Sequence, residues 1–523
     1  MDKRLEEFQQ LLNELSAKGS GGAVDLLLKQ MDPDEARCLR LCAIPHEFDV
    51  SILRTLAPEL SDAQANKYFD AFSKLSLIAK RNESLAMHEE SRRYLFDQWL
   101  EPGRQAEFGA ASRRLTEYFA AQATQLQTIT ATETSDVVER AMRNRMFHLI
   151  GASRAEGLAE FERICRQRRE EMRLGTCETL IKLVHEYDGV LQPVEAATVA
   201  YHEGKLPADR QQWKTAEELF SRVLATEGVS TQLKVKTLCR LGIISDAQRR
   251  WAAAIDFFKQ GLERADERPD CFAQIIHLHL NLGSTYRDSG QLPRAEELLQ
   301  KGITLAKNAH DLSSLADGYN SLGTLYLKLN DLPKAVGTYE LSLKHLAELG
   351  DEFRPAQVYN NLGNAYANQR DWQKSEEFFR RSLEIKRQAG DNSGQAMTLT
   401  NLERVYRAQQ QPQRAIEACE KATVLFGEVR DEYNMAVVKR LLGRIYRATG
   451  NKDLARRAFN EAAELFARCK EHAEADATRK EAKELDRKFS LPWWVVLAIV
   501  LFVLFLILVA VVMWRSGFHP GRA

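Results

Sequence analysis

The stretch Val358–Ile385 reads VYNNLGNAYANQRDWQKSEEFFRRSLEI, and its pattern decides the architecture of this chain. Four of its features recur at fixed spacing along the sequence: the pair Leu362-Gly363, then Tyr366, the small Ser375 and the bulky Phe379. Leu-Gly stands at Leu241-Gly242, Leu282-Gly283, Leu322-Gly323 and Leu442-Gly443, and Leu402-Glu403 fills the gap. The steps between second members are 41, 40, 40, 40 and 40 residues.

The other positions keep the register. Three residues after the Gly come Tyr286, Tyr326, Tyr406 and Tyr446. Twelve after it come Ala216, Ala254, Ala295, Ala335, Ala415 and Ala455, and four further on Phe220, Phe258, Leu299, Tyr339, Cys419 and Phe459. Gly204 opens the first, weaker unit, so seven helical hairpins are expected over residues 193–470. A Gly or Ala lets a partner helix approach closely, and the aromatic residues fill the space between units. No such unit buries its apolar face alone, so units stack. The pattern resembles the tetratricopeptide repeat in a 40-residue form. The expected fold class is mainly α: a solenoid of about seven such hairpins, a winged-helix-like head and one C-terminal transmembrane helix.

The resemblance implies that the first helix of each hairpin lines a binding groove, with groove positions three and two residues before the Gly and one and four after it. These positions hold Asn281, Asn320, Asn360, Asn361, Asn364 and Asn401 in the middle repeats, and Arg404, Arg407, Arg440, Arg444 and Arg447 toward the end. Asn is a poor helix former. Its amide donates to and accepts from an extended backbone at once, so a protein or peptide ligand is expected. The arginines suggest that the ligand is acidic, or is a lipid headgroup. An ordinary solvated face is the alternative for both sets.

The first 190 residues differ. Helices are expected over Asp34–Ile44, Asp49–Leu56, Asp62–Leu75 and His88–Leu100, with strands on either side of the turn at Arg81–Ser84. The wording LCAIPHEFDV (41–50), KLSLIAK (74–80) and AMHEESRRYLFDQW (86–99) resembles the winged helix of STAND-type signalling ATPases. Residues 1–125 would then be the head and 126–192 a helical linker. The phosphate loop of that family is missing: Gly19-Ser20-Gly21-Gly22 lacks the Lys. His88, at the place of the family's nucleotide-sensing motif, is therefore read as structural. A separate STAND-type ATPase stays open as a partner. Residues 1–125 carry 16 Lys+Arg against 20 Asp+Glu, which disfavours nucleic acid.

Trp493 to Trp514 runs 22 residues without a charge, which predicts a membrane span. Trp493, Trp494 and Trp514 would sit at the interfaces, with residues 471–490 as a capping and juxtamembrane helix and 515–523 as a short tail. Arg479, Lys480, Lys483, Arg487 and Lys488 stand before the span, and Arg515 and Arg522 after it. That excess places the large domain in the cytosol, at a bacterial inner membrane rather than an organelle outer membrane.

Over 523 residues, 73 Lys+Arg balance 73 Asp+Glu, which excludes a globally basic nucleic-acid binder. The eight cysteines are widely spaced and read as reduced core residues rather than a disulfide framework. Cys38, Cys42 and His46 are too few for a metal site. No cofactor and no enzymatic activity are expected: Gly-x-Ser-x-Gly, His-Glu-x-x-His and Cys-x-x-Cys are missing. The reading is a membrane-tethered scaffold for partner proteins. A membrane-bound transcription regulator and the sensor half of a split STAND switch remain open.

Overall fold

The structure, a computed structural model, describes residues 20–129, 135–170, 173–265, 268–485 and 493–515. They form 25 α-helices and one two-stranded sheet, in two compact units, Met1–Leu278 and His279–Ala523.

The first unit begins with α1 (Ser20–Gln30), α2 (Pro33–Leu41), α3 (Val50–Leu56) and α4 (Asp62–Phe72). Side chains set their starts. Asp32 accepts from the Asp34 amide, Asp49 from Ile52, and Ser61 and Gln64 close a capping box. The chain then forms an antiparallel hairpin, β1 (Ile78–Arg81) and β2 (Ser84–Met87), with Ile78 opposite Met87 and Arg81 opposite Ser84. Asn82 turns it with φ +52°. Next come α5 (Glu89–Trp99), α6 (Gln105–Ile129), α7 (Ser135–Ala152), α8 (Arg154–Glu170) and α9 (Leu174–His185).

The boundary expected at residue 125 falls inside α6. Phe48, Phe96, Phe147, Phe161 and Tyr187 belong to one buried cluster, so the expected head and linker share a core. The unit continues with α10 (Pro193–Asp209) packed on α11 (Trp213–Ala225), and α12 (Thr231–Ala247) on α13 (Trp251–Ala265).

Helix α14 (Phe272–Asp288) contains the boundary between the units. The second unit proceeds through α15 (Leu292–Asn308), α16 (Leu312–Lys328), α17 (Leu332–Leu349), α18 (Pro355–Asn368), α19 (Trp372–Gln388), α20 (Asn392–Ala408), α21 (Pro412–Glu428), α22 (Glu432–Ala448), α23 (Lys452–Arg468) and α24 (His472–Glu484). The recurrent glycines are close-approach points. A Cβ on Gly323 would lie 2.7 Å from the Tyr339 ring, one on Gly363 2.6 Å from Phe379, and one on Gly443 2.8 Å from Phe459. Left-handed residues recur every 20 positions at Gly290, His310, Asn330, Gly350, Arg370, Gly390, Gln410, Arg430, Gly450 and Lys470. The next residue often caps the following helix, as Asp311, Asp331, Asp371, Asp391, Asp431 and Asn451 do. The 40-residue period is therefore two 20-residue helix-and-turn steps.

The expected transmembrane helix is corrected. Among the described residues no helix is long and apolar enough to cross a membrane. Helix α25 spans Trp493–Arg515, but its described side chains run only from Leu497 to Val511. That is 15 residues, about 22 Å of helix against the roughly 30 Å of a bilayer core. The side chains of Trp493, Trp494 and Trp514, the juxtamembrane Arg487 and Lys488, and Arg522 lie outside the described residues. The single-pass localisation, with its cytosolic placement, falls with the span that carried it.

Candidate ligand-binding face of the repeats

In the second unit the first helices of successive hairpins, α16, α18, α20 and α22, lie side by side. Residues one period apart therefore meet across the seam. Asn361 Nδ2 donates to Asn320 Oδ1 at 2.8 Å, Asn401 Nδ2 to Asn360 Oδ1 at 3.1 Å, and Arg404 Nη2 to Asn364 Oδ1 at 3.0 Å. The three bonds run in the same direction, each later hairpin donating to the earlier one. The asparagines are half-buried. This ladder explains poor helix formers at these sites: each bond ties two repeats together for a net gain of about 1 kcal/mol. The Asn361 carbonyl oxygen and the Asn320 amino group have no further partner among the described residues, and both keep hydrogen-bonding capacity for a ligand. Asn281 is half-buried on α14.

The arginines are placed differently from the expectation. Arg444 makes a two-pronged pair with Glu481 at 2.8 and 2.7 Å. Arg440 reaches Glu474 at 2.5 Å, Arg407 lies 3.1 Å from Glu403, and Arg447 stands 6.0 Å from the centre of the Phe459 ring. The cluster is thus largely an ion-pair network that fastens α22 to α24. Acids of the chain answer three of the five charges, whereas Arg404, bonded to Asn364, and Arg447 make no ion pair among the described residues.

Glu403 occupies the recurrent Gly position and is only 2% exposed. Burial pushes its carboxyl above the ordinary range, against the pull of Arg407, Arg404 and Arg444. Cys419, also buried, stands where other hairpins have Phe, Tyr or Leu, and the Glu403 charge adds to the burial that raises its thiol. The large residue has changed sides of the contact. Glu403→Gly with Cys419→Phe should restore the packing of the neighbouring hairpins. Cys419→Phe alone should destabilise, and a thermodynamic cycle on chemical unfolding should show favourable coupling of about 1–2 kcal/mol. Additive effects would mean the two side chains do not share that space.

The cysteines are all free, and six of the eight are buried. Cys38 and Cys42 are core residues, each 1% exposed.

The sequence model of the tetratricopeptide repeat family matches residues 274–348, 354–426 and 405–468, so the hairpins of this stretch are tetratricopeptide repeats. No curated protein matches the sequence. Among solved structures, the fold is similar to a signal-transduction ATPase with numerous domains (STAND) that carries a tetratricopeptide repeat sensor, from Pyrococcus horikoshii. It is 13% identical, with 92% of this chain and 69% of that one covered and a TM-score of 0.52. Two further similarities are a Rap protein complexed with competence and sporulation factor (13% identity, 63% and 96% covered, TM-score 0.46) and the quorum sensor NprR from B. thuringiensis (14%, 63% and 97%, 0.41). None of these assigns the head to the winged-helix family or supports a membrane anchor.

Proposed function

We propose that the chain is a non-enzymatic interaction protein whose repeats hold a protein or peptide partner against the Asn ladder. The observation that carries this reading is the row Asn320–Asn361, Asn360–Asn401 and Asn364–Arg404. It sets amides with spare donors and acceptors at one-repeat intervals along adjoining helices, and such a row matches the alternating donors and acceptors of an extended backbone. The repeats of the Pyrococcus protein are described as a sensor, and a sensing or adaptor role suits the same fold here.

The test is capture of partners by wild type and by Asn320→Ala/Asn361→Ala/Asn364→Ala, compared protein by protein by mass spectrometry. Ala is the better helix former, by roughly 0.5 kcal/mol per site, and this offsets part of the lost ladder. Helicity should therefore hold while specific capture falls about fivefold or more. Equal capture by both proteins would show that the ladder serves repeat stacking alone.

A further inference from the structure

The first two hairpins carry the opposite chemistry on the corresponding face. Lys205 follows Gly204 directly, and Arg240 lies two residues before Gly242; in the later hairpins these two positions hold hydroxyl, amide, Leu or Arg residues, and of the arginines Arg444 is paired with Glu481. Lys236 is four residues before Arg240 and so shares its side of α12. Arg169, near the end of α8, completes the group.

Lys205 is 9% exposed, and its Nζ stands 4.3 Å from the centre of the Tyr201 ring. Among the described residues, Lys205, Lys236 and Arg240 make no ion pair. Lys236 has only a 3.4 Å hydrogen bond to Gln232, and Arg240 faces the Tyr201 hydroxyl. Of the nearby acids, Asp209 takes Arg169 through both oxygens; Glu162 lies 3.7 Å from His202, which burial lowers to about 4, and its carboxyl is held down by that contact and also by the charge of Lys236. His202 is 7% exposed, and its Nδ1 has no partner among the described residues. Cys165, the remaining acidic neighbour, is held as the neutral thiol by its contact with Cys177 and by burial. Burial first, then Arg240, Arg169 and Lys236, lower the Lys205 ammonium to about 7. Cations thus converge on a nearly buried amine that no carboxylate answers.

We propose that Lys205, Lys236 and Arg240 form a binding site for a phosphoryl dianion. A dianion answers two half-exposed cations and draws a proton onto the third amine, whereas a single carboxylate leaves the cluster in excess. The group can arrive as inorganic phosphate or on a phosphorylated side chain. The site lies in the first unit, and it does not depend on the peptide-binding reading of the Asn ladder.

Calorimetry of the full chain at pH 7 tests this, run in two buffers of different ionisation enthalpy. Sulfate serves as a dianion that does not itself titrate, inorganic phosphate as the free ligand, and a short phosphoserine peptide as the attached one. Sulfate should bind with net proton uptake, and Lys205→Met should abolish the uptake. Lys205→Met and Arg240→Gln should each weaken binding about tenfold. Whichever phosphate source binds more tightly identifies the origin of the group. Arg240 is half-exposed, so Arg240→Gln tests binding even where the buried substitution disturbs folding. The proposal is overturned if none of the three ligands gives heat up to about 10 mM. It is overturned equally if wild type and both variants bind alike.

Discussion

Glu186→Ala is expected to destabilise the first unit by about 3–5 kcal/mol, because it leaves a buried guanidinium without its charge partner. Arg92 is 1% exposed, and its Nη2 donates to Glu186 Oε2 at 2.5 Å. The other Glu186 oxygen pairs with His46 Nε2 at 2.7 Å. Arg92 has little else: its Nε and Nη1 have no partner among the described residues, and Glu89 is 3.9 Å away and mostly exposed. This pair ties α5 to the end of α9, across the boundary that the sequence reading drew at residue 125.

Burial pushes the Glu186 carboxyl up, but His46 and Arg92 together outweigh it, and the group sits below its ordinary range. A depressed carboxylate contributes stability that is present above its unfolded value and lost as pH falls through the folded one. The destabilisation should therefore be full at pH 7 and should shrink below about pH 4. Chemical unfolding followed by circular dichroism measures it. Arg92→Met/Glu186→Leu should recover most of the loss, since removing both charges also removes the desolvation penalty. A double variant no more stable than Glu186→Ala would show that packing, not charge, holds this contact.

The repeat hairpins were legible because packing imposes a period. Gly363 must be small where Phe379 crosses it, and the same demand recurs at Gly323 and Gly443. The finer 20-residue step is also written in the chain, as an Asp or Asn after most of the left-handed turns, but the wider Leu-Gly signal overshadows it. Glu403 and Cys419 break the pattern in the same hairpin, both buried, with the Glu403 charge acting on the Cys419 thiol. The arginine cluster was misleading for a physical reason. A groove position tells which way a side chain faces, but not whether an acid from the next helix reaches it, and Glu474 and Glu481 come from α24. The division of head and linker at residue 125 rests on the resemblance to a winged helix and its linker, whereas a core is defined by contacts such as Phe96 with Phe147 at 5.7 Å. The span expected from Trp493 rested on an apolar run, and the described side chains cover too little of it to cross a bilayer. Lys205 and Arg240 lay within reach of the reading that found the asparagines: the same offsets applied to Gly204 and Gly242 lead to both.

Lys205→Met is expected to stabilise the protein at neutral pH and below, the reverse of what losing a positive charge from a surface does. The wild-type amine titrates at about 7 in the folded chain and near 10.4 when unfolded. Between those values the unfolded chain binds the extra proton, so wild-type stability should rise as pH increases from 7 to 10. Below pH 7 both states are charged and the full penalty applies. The difference between the two values corresponds to on the order of 4 kcal/mol, and methionine keeps an apolar stem of similar length while removing the charged Nζ that lies over the Tyr201 ring. Lys386 is also buried and lowered, chiefly by burial. It is present in both proteins, so the difference between them isolates Lys205. Unfolding midpoints at pH 6, 8 and 10 should converge as pH rises, with the variant ahead at pH 6 and the gap nearly closed at pH 10. Parallel curves would mean that Lys205 keeps its proton in the folded chain, held by water or by a carboxylate. Sulfate should narrow the gap from the other side: a dianion stabilises the charged amine in the wild type and finds no such amine in the variant.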